Sequence, residues 1–440
     1  MDIFYNRENE IALLEDIEKK SLKNAQMTIV VGRRRIGKTA LLTHVFGKKN
    51  ALYFFIEKKN IVLLCEEFTE EIQNKLGVTI HGTLQNFKDV FSYLMDLSKT
   101  RHFTLIIDEF QEFYNLNPAV YSEIQNVWDK QKNSAKINVI FCGSIYSLMY
   151  KIFENTKEPL FGRATGRLHL KQFNVTTIKD ILKDHHPACS NEDLLAFYLL
   201  TGGVAKYVEL LLDAKAYTFN KILKTVLSEN SLFLEEGRYA LIDEFGKDYG
   251  NYFSVLSLIA SSKTSRSEME SIMGISVGGY LDKLENDYGL ISKVRPILSK
   301  PGNKSIKYSI VDNFLNFWFR FIYKYRSAIE IGNYDYVKAI IQRDYKTYSG
   351  IILERYFREK LINEKKFSMI GSYWENGNIN EIDIVALNES EKTAVIAEVK
   401  RNSKNINLNI LKEKSQNLIM KLPGSAGYDI KYCGFSMSDM

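Results

Sequence analysis

The sequence predicts an α/β protein whose first part is a mostly parallel sheet with helices on both faces. Three observations predict it. Short apolar runs of strand length alternate with segments of helical periodicity. One such run leads into Gly32-Arg33-Arg34-Arg35-Ile36-Gly37-Lys38-Thr39, which fits G-x-x-x-x-G-K-[ST] at every fixed position. Two later runs end in Asp108-Glu109 and in Gly143-Ser144. Ligands in open α/β sheets bind at the carboxyl ends of strands, so these three segments point to one place.

The elements follow in order. Arg7 to Lys20 has helical apolar spacing with acidic residues in its first turn. Met27-Thr28-Ile29-Val30-Val31 is the strand before the glycine-rich loop, and Ala40 to Phe46 is the helix after it. Ala51 to Ile56 reads as a buried strand, and residues 60–76 and 84–98 as helices. His102 to Glu109 is a third strand, 118–131 a helix, and Lys136 to Ser144 a fourth strand. Residues 190–235 read as helical. Tyr252–Ala260, Arg266–Met273 and Val277–Glu285 are three helices, followed by short strands at Leu290–Val294 and Ile306–Ile310 around Lys300-Pro301-Gly302-Asn303-Lys304. Three helices and a hairpin are the layout of a winged helix. Phe314–Tyr325 is an aromatic helix suited to a core. The polar stretch Gly332–Tyr348 is the expected linker. Beyond it the pattern is helix (350–363), three strands (367–374, 380–388, 393–400), helix (407–421) and strand (428–435).

Bulk properties set limits. A chain of 440 residues exceeds one ordinary domain. The expected divisions are 1–175 for the phosphate-loop domain, 176–247 for a helical lid-like segment, 248–330 for the winged helix and 331–440 for a final α/β domain. A hydrophobic fraction of 45% with 25% charged residues is that of a globular protein with a sizeable core. The net charge of +6 permits nucleic-acid contact without arguing for it. Cys65, Cys142, Cys189 and Cys433 are far apart and form no metal-ligand pattern, which suits a reducing compartment. Cys142, in an apolar run, reads as a small buried hydrophobe. The N-terminus lacks a signal-peptide apolar core, and no stretch approaches ~18 apolar residues, so the expectation is a cytoplasmic chain with no membrane partner.

The glycine-rich loop carries the clearest chemistry. Glycines let the backbone fold around a phosphate with successive N–H groups pointing inward, and the following helix N-terminus adds positive potential. Lys38 is placed to reach β- and γ-phosphates and Thr39 to hold Mg²⁺. A carboxylate ending the third strand serves the Mg²⁺ shell, which suits Asp108, and an adjacent glutamate, here Glu109, orients or deprotonates the attacking water. Ser144 reads either as a γ-phosphate contact or as part of a simple turn. Arg163, in Phe161-Gly162-Arg163, reads either as an arginine stabilising charge on the transferred group or as a surface residue.

A second constellation lies near the C-terminus. Asp383 sits in Glu381-Ile382-Asp383-Ile384, and Glu398 and Lys400 in Ala397-Glu398-Val399-Lys400. Alternation places Glu398 and Lys400 on one strand face, and pairing of the two strands brings Asp383 to them. Two carboxylates and a lysine so placed suit Mg²⁺-assisted phosphodiester hydrolysis, with Glu354 as a further carboxylate. The plainer alternative is an ion pair of ordinary strand charges. The hairpin residues Lys293, Arg295, Lys300, Lys304 and Lys307 suit phosphate contact, but Asp282, Glu285 and Asp287 on the preceding helix favour a packing surface.

With these residues in hand, the chain resembles the archaeal-type P-loop ATPases, a branch near the AAA+ and STAND proteins. These carry a C-terminal domain long catalogued as of unknown function (the DUF234 type), itself similar to PD-(D/E)xK nucleases. The resemblance runs from Asn6-Arg7-Glu8-Asn9-Glu10 through the P-loop, Asp108-Glu109, Gly143-Ser144, Gly162-Arg163 and Thr201-Gly202-Gly203-Val204-Ala205-Lys206-Tyr207 to Tyr308–Asp312 and Phe317–Phe321. It implies ATP and Mg²⁺ as cofactors, Lys38 and Thr39 as their contacts, Asp108 and Glu109 in hydrolysis, Arg163 as γ-phosphate sensor, and Asp383, Glu398 and Lys400 as a D…ExK signature. It leaves room for DNA, RNA or a partner protein, and for an oligomer. Relatives usually have Pro where this chain has Ala205, which softens that turn, and Ile382 rather than Pro precedes Asp383.

Overall fold

The structure, a computed structural model, describes residues 4–440 except 145, 247–248, 301, 304 and 423–426. Pro301 and Lys304 of the predicted hairpin lie outside the described residues. The chain divides into two compact units, Met1–Gln172 and Phe173–Met440.

In the first unit the elements are α1 (Glu8–Ser21), β1 (Gln26–Val31), α2 (Lys38–Phe46), β2 (Ala51–Phe55), α3 (Ile61–Leu76), α4 (Phe87–Leu97), β3 (Phe103–Asp108), α5 (Phe113–Leu116), α6 (Ala119–Gln131), β4 (Ile137–Gly143), α7 (Tyr146–Glu154) and β5 (Gly166–His169). The sheet order is β2-β3-β4-β1-β5, and every pairing is parallel. β3 and β4 are buried along their whole length, as parallel strands covered on both faces must be. On one face Phe110, Phe141 and Phe153 pack with ring centroids 4.2–5.7 Å apart. The other face holds Val30, Leu41, Leu42, Ile106 and Ile140. Helix starts are set locally: the Asn60 side chain accepts from Val62 N at 2.8 Å and the Asn86 side chain from Asp89 N at 2.9 Å. The register Val31↔Gly143 and Ile107↔Phe141 brings the ends of β1, β3 and β4 together.

The second unit begins with α8 (Val175–His185), α9 (Asn191–Thr201), α10 (Ala205–Asp213), α11 (Phe219–Val226) and α12 (Leu232–Phe245). Then come α13 (Tyr249–Ala260), α14 (Arg266–Met273) and α15 (Gly278–Asn286), followed by the antiparallel pair β6 (Ile291–Val294) and β7 (Lys307–Ile310). The aromatic segment is α16 (Asn313–Phe317) continued by a π-helical stretch, Trp318–Tyr323. After α17 (Arg326–Glu330) runs a 30-residue helix, α18 (Tyr334–Asn363). The last sheet is β8 (Met369–Tyr373), β9 (Ile382–Asn388), β10 (Thr393–Val399) and β11 (Asp429–Phe435), with α19 (Leu408–Ile419) between the last two. Its order is β11-β10-β9-β8, with β10 and β11 parallel and the other pairs antiparallel.

The structure corrects the expected linker. Residues 334–348 are the first half of α18, and Val337, Ile340, Ile341, Tyr345 and Tyr348 are buried. Those positions recur at three- and four-residue spacing, so the stretch is an amphipathic helix diluted by charge, not a flexible connection. The lid-like segment, the three-helix-and-hairpin segment and the final sheet accordingly share one compact unit.

Candidate functional site: the P-loop and the D…ExK cluster

The loop after β1 folds through two left-handed residues, Arg35 (φ 67°) and Gly37 (φ 97°). A glycine accepts that conformation freely, whereas an arginine there is held by its surroundings. Gly32 is required by packing instead: a Cβ would sit 2.8 Å from Leu170 O. Ile36 is buried and anchors the loop to the core under α2. Lys38, the first residue of α2, is 7% exposed and donates to Gly32 O at 2.7 Å and Arg33 O at 3.1 Å. Burial pushes its amine below the ordinary value, and Cys142, Glu109 and Asp108 counter that shift.

Thr39 Oγ1 donates to Asp108 Oδ2 at 3.0 Å. The same oxygen accepts from the Tyr53 hydroxyl, and Asp108 Oδ1 accepts from Glu109 N at 2.9 Å. Glu109 is left-handed (φ 53°) and turns its carboxylate to Ser144, whose hydroxyl donates to Oε2 at 2.8 Å. Gln111 donates to that oxygen as well. The loop, Asp108, Glu109 and Ser144 therefore meet at the carboxyl ends of β1, β3 and β4. Tyr53 and Gln111 escape sequence reading. The available signal for Tyr53 is its register against Ile106, two residues before Asp108 on the same face of β3.

Arg163 does not join them. It donates to Asp129 at 2.7 and 3.1 Å and to Pro159 O at 2.6 Å. Thr165 N, two residues on, bonds Met27 O at the start of β1. Arg163 thus lies at the amino edge of the sheet, and β1 is six residues long, a strand length of about 20 Å from the P-loop edge. Within one chain Arg163 is therefore away from the P-loop. The apolar run Leu160-Phe161 and Gly162 (φ 72°) turn the chain before β5, so Arg163 precedes that strand instead of ending one.

In the second unit, the expected pairing of β9 with β10 holds, with Ala397 opposite Ile384. Where the ladder ends, the Asp383 side chain takes over: its Oδ2 accepts from Val399 N at 2.8 Å. Lys400 Nζ lies 3.3 Å from Glu398 Oε1 and 3.6 Å from Asp383 Oδ2. Burial opposes the Lys400 charge, but Asp383 and Glu398 outweigh it and hold the amine above its ordinary value. Burial raises the Asp383 carboxyl. Glu354, on α18, is close enough to repel Asp383, and burial first and that repulsion second push it up to about 8. Among the described residues, no group of three or more His, Cys, Asp or Glu side chains is placed to hold a metal ion. Glu354 is an electrostatic neighbour of Asp383 and Lys400.

The donor chemistry can be tested against Mg²⁺. Hydroxyl and carboxylate oxygens are hard donors, and Thr39 in the first turn of α2 with Asp108 at the end of β3 fits. Asp383 and Glu398 also offer oxygens, with Lys400 already neutralising them in part.

A P-loop opening a helix, with an Asp-Glu pair at the end of a parallel strand one removed in the same sheet, defines the P-loop ATPase class. Residues 4–211 match the family described as "ATPase domain predominantly from Archaea", and residues 318–416 match "Archaea bacterial proteins of unknown function". An uncharacterised protein of Methanocaldococcus jannaschii is 30% identical over 408 residues, 90% of this chain and 87% of its own. The chain belongs to this archaeal ATPase family with a C-terminal DUF234 domain. In fold it is similar to a Walker-type ATPase of Pyrococcus abyssi (TM-score 0.55, 18% identity, 72% of this chain and 96% of that one). It is also similar to the ORC2 protein of Aeropyrum pernix, solved in ADPNP and ADP complexes (TM-score 0.50, 14% identity, 75% and 95%).

Proposed function

We propose that this chain is a Mg²⁺-dependent ATPase whose nucleotide state controls a C-terminal nuclease-like domain acting on nucleic acid. The observation that carries the ATPase reading is the meeting of Lys38, Thr39, Asp108, Glu109 and Ser144 at three strand ends. Backbone amides of residues 32–37 receive the β- and γ-phosphates. Lys38 exchanges its loop carbonyls for phosphate oxygens, and Glu109, held by Ser144 and Gln111, orients a water toward the γ-phosphorus. Thr39 and Asp108 would hold Mg²⁺, which when bound supplies neutralising charge on the phosphates.

In the second unit, Asp383, Glu398 and Lys400 are the arrangement a PD-(D/E)xK nuclease needs. The carboxylates would take the metal, and Lys400 steadies a water or the charge developing on the phosphate. The segment α13–α15 with β6 and β7 is read as a winged helix. Lys307 in β7 is bound to Glu381 at 2.8 Å, which favours internal packing for part of the hairpin. The proposed setting is the cytoplasm; among the described residues no helix is long and apolar enough to cross a membrane.

Purified Lys38→Ala protein should lose ATP hydrolysis, and unchanged turnover would end the ATPase reading. Mg²⁺- or Mn²⁺-dependent cutting of DNA or RNA should vanish in Asp383→Ala. Cutting that persists there, or that never occurs with the unaltered chain, removes the nuclease role. One observation favours a second reading. Lys400 already neutralises the two carboxylates in part without a metal, as a domain that binds a nucleic acid or partner protein without cleaving it would have. Divalent-ion titration of the full chain, compared with Asp383→Ala, separates the two.

A further inference from the structure

A cavity of about 180 Å³ in the second unit is lined by Arg320, Arg355, Arg358 and Lys307, with Glu354 and Glu381 as its carboxylates. Lys307 is committed to Glu381 at 2.8 Å. Three guanidinium groups then face one carboxylate. Asp383 also acts on Arg358 and Asp344 on Arg320, while the hydrogen-bond partners of the three are neutral. Arg355 donates to Asn313 Oδ1 at 3.0 Å and Ser309 Oγ at 2.6 Å. Arg358 donates to Ser372 Oγ at 2.5 Å and Asp383 O at 3.2 Å. Arg320 donates to Ala260 O at 2.9 Å and lies 5.3 Å from the Tyr348 ring centroid. These contacts fix each guanidinium in place without neutralising it.

The Nε atoms of Arg320 and Arg358 are buried and have no hydrogen-bond partner. Buried donors are almost always paired, and both of these belong to arginines that line the cavity. A surplus of arginine over carboxylate around a partly open cavity favours an anion. Guanidinium forks match the oxygens of a phosphate in pairs, which a lysine does not do. The volume is several times the ~30 Å³ share of one water, room for a tetrahedral oxyanion with solvent.

We infer that this cavity is a phosphate-binding site, and that it takes a phosphate of the nucleic-acid strand neighbouring the one presented to Asp383, Glu398 and Lys400. Arg358 links the two places, since it lines the cavity and its guanidinium bonds the Asp383 main chain. The strand assignment rests on the nuclease-like reading; the phosphate site does not.

The test uses the full chain carrying Lys38→Ala, which removes the P-loop as a phosphate site. Calorimetric titration with inorganic phosphate at constant ionic strength should show binding. Arg320→Gln should weaken it at least tenfold, with Arg320→Lys in between and circular dichroism unchanged. Arg355→Gln provides a second, independent lesion should Arg320→Gln fail to fold. No phosphate binding, or binding indifferent to these changes, overturns the site. With Asp383→Ala added to silence cutting, phosphate should compete with a single-stranded oligonucleotide. Phosphate binding without competition overturns the strand assignment. A chain that binds phosphate through these arginines but never cuts sinks only the nuclease reading.

Discussion

The Ser144 hydroxyl donates to Glu109 Oε2 at 2.8 Å, tying the residue after β4 to the residue after β3. Gln111 grips the same oxygen from the other side of the turn. Glu109 itself occupies a left-handed conformation at φ 53°, so its carboxylate direction depends on these two donors and on the backbone bond to Asp108. Glu109→Gln should lower kcat for ATP by about 10²–10⁴-fold while leaving nucleotide affinity within a few-fold, as expected for loss of a water-orienting base. Ser144→Ala should lower kcat by much less, because Gln111 remains. Steady-state hydrolysis beside a binding titration checks both. Equal loss of affinity and turnover would show that these residues support the loop's shape and not the attacking water.

Gly32 makes a prediction about the loop's frame. Its added Cβ would meet Leu170 O at 2.8 Å and Ile36 Cγ2 at 3.2 Å. Backbone on one side and a buried side chain on the other leave little room to yield. Gly32→Ala should cost about 1–3 kcal/mol through overpacking and weaken nucleotide binding with it. A melting temperature unchanged in that variant would mean that the β1–β5 edge relaxes freely.

Much of this site is legible in the sequence, for physical reasons. A P-loop needs consecutive residues, so its signature is local. Asp108-Glu109 and Gly143-Ser144 are strand ends, which hydrophobic runs mark clearly. The failures are equally physical. Arg163 follows a short loop that enters β5 from its amino end, and β5, at four residues, is too short for a periodic signal. The start of α18 carries Lys338, Arg343, Asp344 and Lys346 among its apolar positions, which hid a helical stripe behind a polar composition. Tyr53 and Gln111 act through contacts between distant segments, which no local pattern encodes. The cluster of Asp383, Glu398 and Lys400 was legible because strand alternation fixes side-chain faces, while the place of Glu354 depended on how α18 crosses the sheet.

Glu354 gives the chain a pH dependence. Burial, and then Asp383, raise its carboxyl from 4.5 to about 8, with Arg358 opposing. Between those values the folded chain keeps a proton that the unfolded chain has released. Stability from this group is therefore greatest at low pH and falls as pH rises through that window, by at most about 1.4 kcal/mol per pH unit. Glu354→Gln keeps a neutral group of the same shape, so its stability should decline less between pH 5 and 8, and its advantage over the parent should grow with pH. Melting temperatures of the two proteins across that range check this. Parallel curves would mean that Glu354 ionises in the folded chain as it does in water.

The turn Thr201-Gly202-Gly203-Val204-Ala205 yields two predictions of opposite sign. Gly202 caps α9 in a left-handed conformation (φ 53°), and Gly203 follows at φ 78°. A Cβ on Gly203 would sit 2.1 Å from Phe173 O, so Gly203→Ala should destabilise the second unit by at least about 2 kcal/mol from clash and left-handed strain together. Ala205 is the first residue of α10, where an N–H has no partner within the helix. Val204 is extended (φ −68°, ψ 118°), as a residue before proline prefers. Ala205→Pro should therefore stabilise by about 0.4–1 kcal/mol by restricting the unfolded chain. Denaturation of the full chain, following the transition of the second unit, reads both changes. A loss of stability in Ala205→Pro would show that the Ala205 N–H is used, and that the turn between α9 and α10 is held by a bond the proline ring removes.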